Sequence, residues 1–82
     1  MRLEETPHFA RRRRRLTQPD ARGLAIAMVR LEADPRDPRL RTHKLEGGNH
    51  WACSYAYDGR AVFVWAGDLI TLLGLGSHDE VC

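Results

Sequence analysis

A histidine followed by two acidic residues, close to the end of the chain, is the first feature able to support chemistry. His78 comes directly after an apolar run that begins at Leu69. The run is bounded by glycines and is too short for a typical helix, which predicts a buried strand. Alternation along a strand that continues to the histidine puts these residues on one face: Ile70, Leu72, Gly74, Gly76 and His78. Because the two glycines have no side chains, they would leave an open space beside the imidazole where the backbone of a ligand could approach, as in a small active site.

Positive charge is concentrated in the first half of the chain. Residues 1–44 carry twelve Lys or Arg against six Asp or Glu, whereas residues 45–82 carry one against five. Such a chain could present its basic half to a polyanion while the acidic half stays away. The alternative interpretation of the same pattern is an ordinary solvated helical face.

Length and composition limit the class of protein. A chain of 82 residues holds one domain with a modest core. A hydrophobic content of 43% and a mean hydropathy of -0.49 are typical of a soluble globular protein and argue against disorder. No apolar run reaches the roughly 18 residues that span a bilayer, and no signal peptide is expected. Cys53 and Cys82 lack Cys-x-x-Cys spacing and are expected to be free thiols in a reducing cytoplasm.

The first half of the chain predicts a short strand followed by two helices. Residues 2–6 alternate in character and precede a proline, which favours an edge strand. A helix over residues 9–16 contains five consecutive arginines, which sweep round the whole helix, so it can be only shallowly buried. A second helix over residues 20–33 has an apolar stripe at helical spacing, despite the weak helix former Gly23. Residues 35–41 carry two prolines and are expected to form an extended connection.

Beyond residue 41 the apolar residues alternate with a period of two, which is typical of strands. The predicted strands cover residues 42–46, 51–57 and 60–66. Together with the terminal strand they give the element order β-α-α-β-β-β-β. This order predicts an α+β domain over residues 1–82, in which two N-terminal helices pack on a twisted, mostly antiparallel sheet of four to five strands.

The hairpin between the last two of these strands sets their register. Asp58-Gly59 is the signal of a two-residue turn, which places Tyr57 opposite Arg60. The bulkier face is then expected to pack on the helices and consists of Trp51, Cys53, Tyr55, Tyr57, Arg60, Val62, Val64 and Ala66. The other face, expected to resemble a concave binding surface, consists of Ala52, Ser54, Ala56, Ala61, Phe63 and Trp65.

Three segments, in this order and spacing, are similar to a known family. They are Asp37-Pro38-Arg39-Leu40-Arg41-Thr42-His43-Lys44-Leu45-Glu46-Gly47, then Trp51-Ala52-Cys53-Ser54 with Asp58-x-Arg60-x-Val62-Phe63, then Gly74-x-Gly76-Ser77-His78-Asp79-Glu80-Val81. Nearly the whole chain thereby resembles the RelE/ParE superfamily of bacterial type II toxin-antitoxin toxins, and within it the YafQ-like mRNA interferases. The resemblance implies a RelE-like domain and a small cytoplasmic endoribonuclease. Such an enzyme cuts mRNA on the ribosome without metal or cofactor and is silenced by a tightly bound antitoxin protein.

The resemblance also implies roles for three catalytic residues. Cleavage by the RNA's own 2'-hydroxyl requires a base to take its proton and an acid to protonate the leaving 5'-oxygen. Histidine suits either role near neutral pH. His78 matches the C-terminal catalytic histidine of the family and is expected to be the general acid. His43 and Asp58 match further family positions, and either could be the base or orient it.

Five basic residues are expected to hold phosphate groups of the RNA. Lys44 and Arg60 would stabilise charge at the reacting phosphate, since related RelE toxins carry an arginine where Arg60 stands. From the arginine run, Arg11, Arg12 and Arg15 would contact the backbone, and such contacts weaken steeply with salt.

Two positions depart from the family pattern. Ser54 stands where YafQ-like members can have another histidine, and Cys82 stands where many relatives end in an aromatic residue. Two alternative functions therefore stay open: a ParE-like toxin that binds DNA gyrase and needs no catalytic histidine, and a catalytically degenerate module that only binds its antitoxin.

Overall fold

A five-stranded sheet with two helices on one face makes up the computed structural model, which describes residues 1–81. The elements are β1 (Arg2–Glu5), α1 (Pro7–Arg13), α2 (Gln18–Ala33), a 3₁₀ turn (Pro38–Leu40), β2 (His43–Lys44), β3 (His50–Ser54), β4 (Gly59–Ala66), β5 (Leu69–Ser77) and α3 (His78–Val81). The strand order is β1-β5-β4-β3-β2, and among these pairs only β1 and β5 run parallel. The predicted α+β class, with two N-terminal helices on a mostly antiparallel sheet, is confirmed. Cys82, which was predicted to be a free thiol, lies outside the described residues.

The two N-terminal helices begin at threonine caps followed by proline. The Oγ1 atom of Thr6 accepts the N–H of Phe9 at 3.2 Å, and that of Thr17 accepts the N–H of Asp20 at 3.4 Å. Each cap satisfies a backbone donor that the first helical turn leaves unpaired. The Thr6 hydroxyl also donates to the carbonyl of Leu72 at 3.0 Å, which ties the start of α1 to β5.

The core lies between the helices and one face of the sheet. Its largest members, Phe9 and Phe63, are both fully buried. The connection after α2, which was expected to be extended, contains the 3₁₀ turn and buries Leu40 against this core. The other buried members of the cluster are Leu24, Ala27, Leu31, Cys53, Ala61, Ile70, Leu72 and Leu75.

The hairpin between β3 and β4 differs from the predicted two-residue turn. Arg60 pairs with Ser54 rather than with Tyr57, a shift of three residues. Because three is odd, the shift reverses the predicted face of the β4 residues relative to β3. Cys53 of β3 lies in the core as predicted, but Phe63 of β4 joins it there instead of lying on a concave binding surface. In this wider turn the Tyr55 ring packs against Gly59, where a Cβ would lie 2.5 Å from the ring Cζ.

A β-bulge in β5 overturns the predicted parity of the terminal strand. Val62 pairs with Gly74 and Phe63 pairs with Leu72, so Leu73 is an extra residue in β5. An extra residue changes which side chains share a face. Leu75 is therefore buried on the core face with Leu72, while Gly74 lies on the opposite face.

The buried Cys53 thiol yields a prediction about reactivity. Its side chain is 1% exposed, and burial raises the pKa of the thiol to about 12. Since the thiolate is the reactive form, native Cys53 is expected to resist an aromatic disulfide reagent at about pH 8. In a Cys82→Ser variant, the absorbance of the aromatic thiolate released from the reagent should increase only after denaturant is added. Rapid reaction in native buffer would contradict the burial of Cys53.

Candidate active site

His78 begins α3 and is anchored by the turn of the β3–β4 hairpin. Its backbone N–H donates to the carbonyl of Asp58 at 2.9 Å and to the Oδ1 of the same residue at 3.2 Å. The pairing of Gly59 with Ser77 brings that turn to the end of β5. Two predicted catalytic residues that are 20 positions apart thus become neighbours, and His78 itself is exposed to solvent.

The short helix α3 is held by reciprocal capping bonds. The Ser77 N–H donates to the Oε1 of Glu80 at 2.8 Å, and the Glu80 N–H donates to the Oγ of Ser77 at 3.3 Å. Hydrogen bonding of the Glu80 carboxyl to the backbone N–H and to the side chain of Ser77 lowers the pKa of that carboxyl. A capping box of this kind fixes the direction of a helical turn that is too short to be stable alone.

The prediction of an open space at the glycines beside His78 is wrong. The strand ends at Ser77, so the histidine does not continue the face of Gly76. A Cβ on Gly76 would lie 3.2 Å from the Cγ2 of Val81, and one on Gly74 would lie 3.6 Å from the Cδ2 of His8. The absence of a side chain at Gly76 therefore lets α3 approach the strand closely, and His8 of α1 lies at ordinary contact distance over Gly74.

His43 and Lys44 lie in a cleft on the sheet face opposite the core. This edge cleft has a volume of about 610 Å³. It is lined by His43, Lys44, Leu45, Glu46, His50, Val62 and Val81. Val81 is the last residue of α3, and a four-residue helical turn is about 6 Å long. His78 is the first residue of the same turn and is not one of the residues that line the edge cleft.

A second histidine in the edge cleft was missed by sequence reasoning. His43 pairs with Ala52, and His50 lies two residues before Ala52 on the same face of β3. Diagonal neighbours of this kind on adjacent strands are within reach of long side chains. The Nδ1 atom of His43 lies 3.1 Å from the carbonyl of Arg41. The period-two pattern of β3 was the available signal for His50, which belongs to no motif.

Asp58 and two of the predicted RNA-binding arginines lie together in a different cavity. This hairpin cavity, of about 470 Å³, is lined by Arg12, Arg15, Leu16, Asp20, Tyr55, Ala56, Tyr57, Asp58, Gly59, Leu75, Gly76, Ser77 and Glu80. The Nη2 of Arg12 donates to the carbonyl of Leu75 at 3.1 Å. Burial, and secondarily the charge of Asp20, raise the pKa of the Tyr55 phenol. The cavity thus combines charges of both signs around a partly buried phenol.

The other two arginines that were predicted to bind phosphate, Arg60 and Arg11, do not lie together. The Nη1 of Arg60 donates to the carbonyl of Gly59 at 3.0 Å, with longer bonds to the Ala56 and Tyr57 carbonyls at 3.4 Å. This guanidinium therefore holds the hairpin turn. Arg11 is exposed on α1 and lines none of the three cavities described for residues 1–81.

Neither a cluster of metal-ligating side chains nor a membrane-spanning helix is present within residues 1–81. No group of three or more His, Cys, Asp or Glu side chains in this range is arranged to hold a metal ion. No helix in the same range is long and apolar enough to cross a membrane.

Solved toxin structures share this fold. No protein-family model and no curated protein sequence matches the chain. The YoeB/ParE toxin from Agrobacterium tumefaciens has a TM-score of 0.79 at 14% identity, covering 95% of this chain and 99% of that one. YafQ from E. coli has a TM-score of 0.76 at 14% identity, covering 96% and 94%.

Two further comparisons involve toxin complexes. The archaeal RelE–RelB complex from Pyrococcus horikoshii has a TM-score of 0.77 at 20% identity, covering 98% of this chain and 97% of that one. E. coli YafQ is also known in a DinJ–YafQ toxin-antitoxin complex, with a TM-score of 0.67 at 13% identity, covering 96% and 93%. The chain therefore has the fold of the RelE/ParE superfamily toxins, with YafQ among its structural neighbours.

Proposed function

We propose that this chain is the toxin of a type II toxin-antitoxin pair and cleaves mRNA, on the ribosome, by metal-independent acid–base catalysis. The observation that carries the proposal is that α3, which begins at His78 and is anchored there by the hairpin turn, ends at Val81 in the cleft lined by His43 and Lys44. The shared fold with RelE and YafQ toxins supports the same conclusion. The basic first half of the chain suits a polyanionic substrate.

The two histidines take the two proton-transfer roles. His78 is exposed and donates a proton to the leaving 5'-oxygen. His43 accepts the proton of the 2'-hydroxyl. The Arg41 carbonyl near its Nδ1 can accept only from a protonated nitrogen, so the basic lone pair of neutral His43 is on Nε2. The ammonium group of Lys44 stabilises the negative charge that develops on the phosphorane.

Asp58 acts through His78 rather than on the substrate. Its carboxylate accepts the backbone N–H of His78, and its carbonyl accepts the same N–H. Both contacts fix the backbone at the start of α3, and with it the point from which the imidazole extends. Between the two roles that remained open for Asp58, base or orienting group, the geometry favours the orienting one.

An antitoxin partner follows from the same proposal. The structures of RelE with RelB and of YafQ with DinJ are complexes with a second protein. Co-expression of the product of the adjacent reading frame is expected to restore growth and to co-purify with this chain.

Expression of the chain alone in bacteria tests the function. Growth arrest with new mRNA 5'-ends, mapped by sequencing, is expected within a short induction. Purified chain should produce the same ends on a programmed ribosome and fewer on naked mRNA. Growth arrest with DNA damage and intact mRNA would instead support a gyrase inhibitor. Folded, soluble protein without growth arrest would support the degenerate antitoxin-binding module.

A further inference from the structure

We infer that the chain holds a second phosphate of the RNA strand in a pocket that the catalytic residues do not use. This arginine pocket has a volume of about 350 Å³. It is lined by Gly23, Ala27, Arg30, Arg39, Arg41, Ser54, Tyr55, Ala56, Tyr57 and Arg60. Four arginines line it, and none of the lining residues within residues 1–81 is acidic. The inference rests on the proposed function, because it assigns the pocket to the same RNA substrate.

The pocket exists because β2 covers only part of the edge of β3. The two residues of β2 pair with Trp51 and Ala52, so the edge beyond Ala52 has no strand beside it. Helix α2 approaches this edge closely at Gly23, where a Cβ would overlap the carbonyl oxygen of Tyr55. The pocket is thus assembled from α2, the connection after the 3₁₀ turn, and the β3–β4 hairpin.

Only one of the four arginines is paired with an acid. Arg39 forms two hydrogen bonds with Asp37, at 3.0 and 2.7 Å, and this contact lowers the pKa of the Asp37 carboxyl to about 2. Arg60 donates only to uncharged carbonyls. Within residues 1–81, the guanidinium groups of Arg30 and Arg41 have no hydrogen bond or ion pair. Three of the four guanidinium groups around this concavity therefore lack a hydrogen-bonded acidic partner, although the charge of Arg30 also acts on Asp37, and this excess of positive charge favours an anion there.

The backbone at Arg41 is an independent observation. Its φ of 52° and ψ of 41° lie in the left-handed region, which is unfavourable for a residue with a Cβ. Arg41 is the one non-glycine residue with positive φ among residues 1–81. Strained residues of this kind concentrate at functional sites. Here the conformation turns the chain so that Arg41 lines the arginine pocket while His43 lines the edge cleft.

Phosphate on single-stranded RNA is the anion that fits this surface. Guanidinium groups match phosphate oxygens in a two-pronged geometry. Arg41 of the pocket precedes His43 of the edge cleft by two residues, so both cavities border the same segment of the chain. Tyr57 lines the pocket and is fully exposed, which offers a ring on which a base can stack.

Equilibrium binding of the full chain tests the pocket without requiring cleavage. The probe is a fluorescein-labelled single-stranded RNA of about ten nucleotides, measured by anisotropy in a His78→Ala background. Arg30→Gln and Arg41→Gln together are expected to weaken binding by about 10-fold at low salt. The slope of log K against log salt should fall by roughly 1.4, since each lost contact to a single strand removes about 0.7.

Arg22→Gln is the matched control. Arg22 lies on the same helix as Arg30, is exposed, carries the same charge and lines none of the three cavities. Its removal should leave the affinity within about 2-fold and the salt slope nearly unchanged. If Arg22→Gln and Arg30→Gln lower the RNA affinity equally, the loss reflects only the net charge of the protein, and the assignment of the pocket to an RNA phosphate is wrong. Thermal unfolding of each variant verifies that it is folded.

Two further results separate the possible explanations. If the double variant binds RNA normally but loses binding of a polyglutamate peptide, the pocket serves an acidic protein segment and the RNA assignment is overturned. If the double variant loses RNA affinity and the chain with native His78 cleaves no mRNA, the pocket does bind RNA phosphate but the proposed nuclease function is wrong. If the double variant binds RNA normally and the chain with native His78 cleaves mRNA, the assignment of the pocket to an RNA phosphate is wrong, while the proposed nuclease function stands.

Discussion

Replacement of His78 by alanine is expected to lower the rate of mRNA cleavage by about 10²- to 10⁴-fold, the usual contribution of a positioned general acid. The side chain is exposed and its loss leaves the backbone bonds to Asp58 in place. The variant should therefore fold normally and lose growth arrest. Cleavage is measured on programmed ribosomes under single-turnover conditions, so that a slower chemical step is separated from weaker binding.

His8→Ala provides the matched histidine removal. His8 is exposed on α1, and its ring lies over Gly74 rather than in the edge cleft. This variant should cleave at the parental rate. Full activity of His78→Ala would refute the assignment of His78 as the acid. Toxicity that survives the loss of both His43 and His78, with DNA damage, would favour gyrase as the target.

Replacement of Gly23 by alanine is expected to destabilise the protein by about 1–3 kcal/mol, the usual cost of overpacking. For a domain of this size, such a loss lowers Tm by roughly 5–20 °C. The added Cβ would overlap the backbone carbonyl of Tyr55, and only a movement of α2 could relieve that contact. Calorimetry or circular dichroism during heating measures the effect.

Whether Gly23→Ala raises or lowers Tm shows which of two effects is larger, helix propensity or the close contact with Tyr55. Helix propensity alone predicts that alanine stabilises α2 by roughly 1 kcal/mol. The close approach to Tyr55 predicts the opposite. Ala25→Gly, at an exposed position of the same helix, is the control and should cost only about 0.5–1 kcal/mol. A higher Tm for Gly23→Ala would mean that α2 and Tyr55 are not in contact.

Local chemistry was enough to predict the two N-terminal helices, the strands and the class of fold, but not the 3₁₀ turn or α3. Thr6 and Thr17 each precede a proline-containing first turn, and these caps act on the chain within a few residues. The change from helical spacing to period two is also a local property, which is why β3, β4 and β5 appeared at the expected places. The motif around His43 and the terminal His78 likewise pointed to the toxin fold without any tertiary information.

Pairing register and the gathering of side chains could not be predicted in the same way. The Asp58-Gly59 signal favoured a tight turn, but contact between Gly59 and the Tyr55 ring accompanies a wider one. Leu73 became a bulge, which turned Leu75 toward the core and Gly74 away from it. Each of these outcomes depends on free energy gained between segments distant in the chain, which no local pattern records.

The amino-acid sequence by itself determined which residues could act as acid, base and phosphate ligand, because those properties belong to the side chains. Only the tertiary structure decided which of them meet. It set Asp58 against the backbone of His78, placed His50 with His43, and collected Arg30, Arg41 and Arg60 around one pocket. The physical reason is that proximity across a sheet is set by register and by close approach at glycines, and both are fixed by packing of the whole chain.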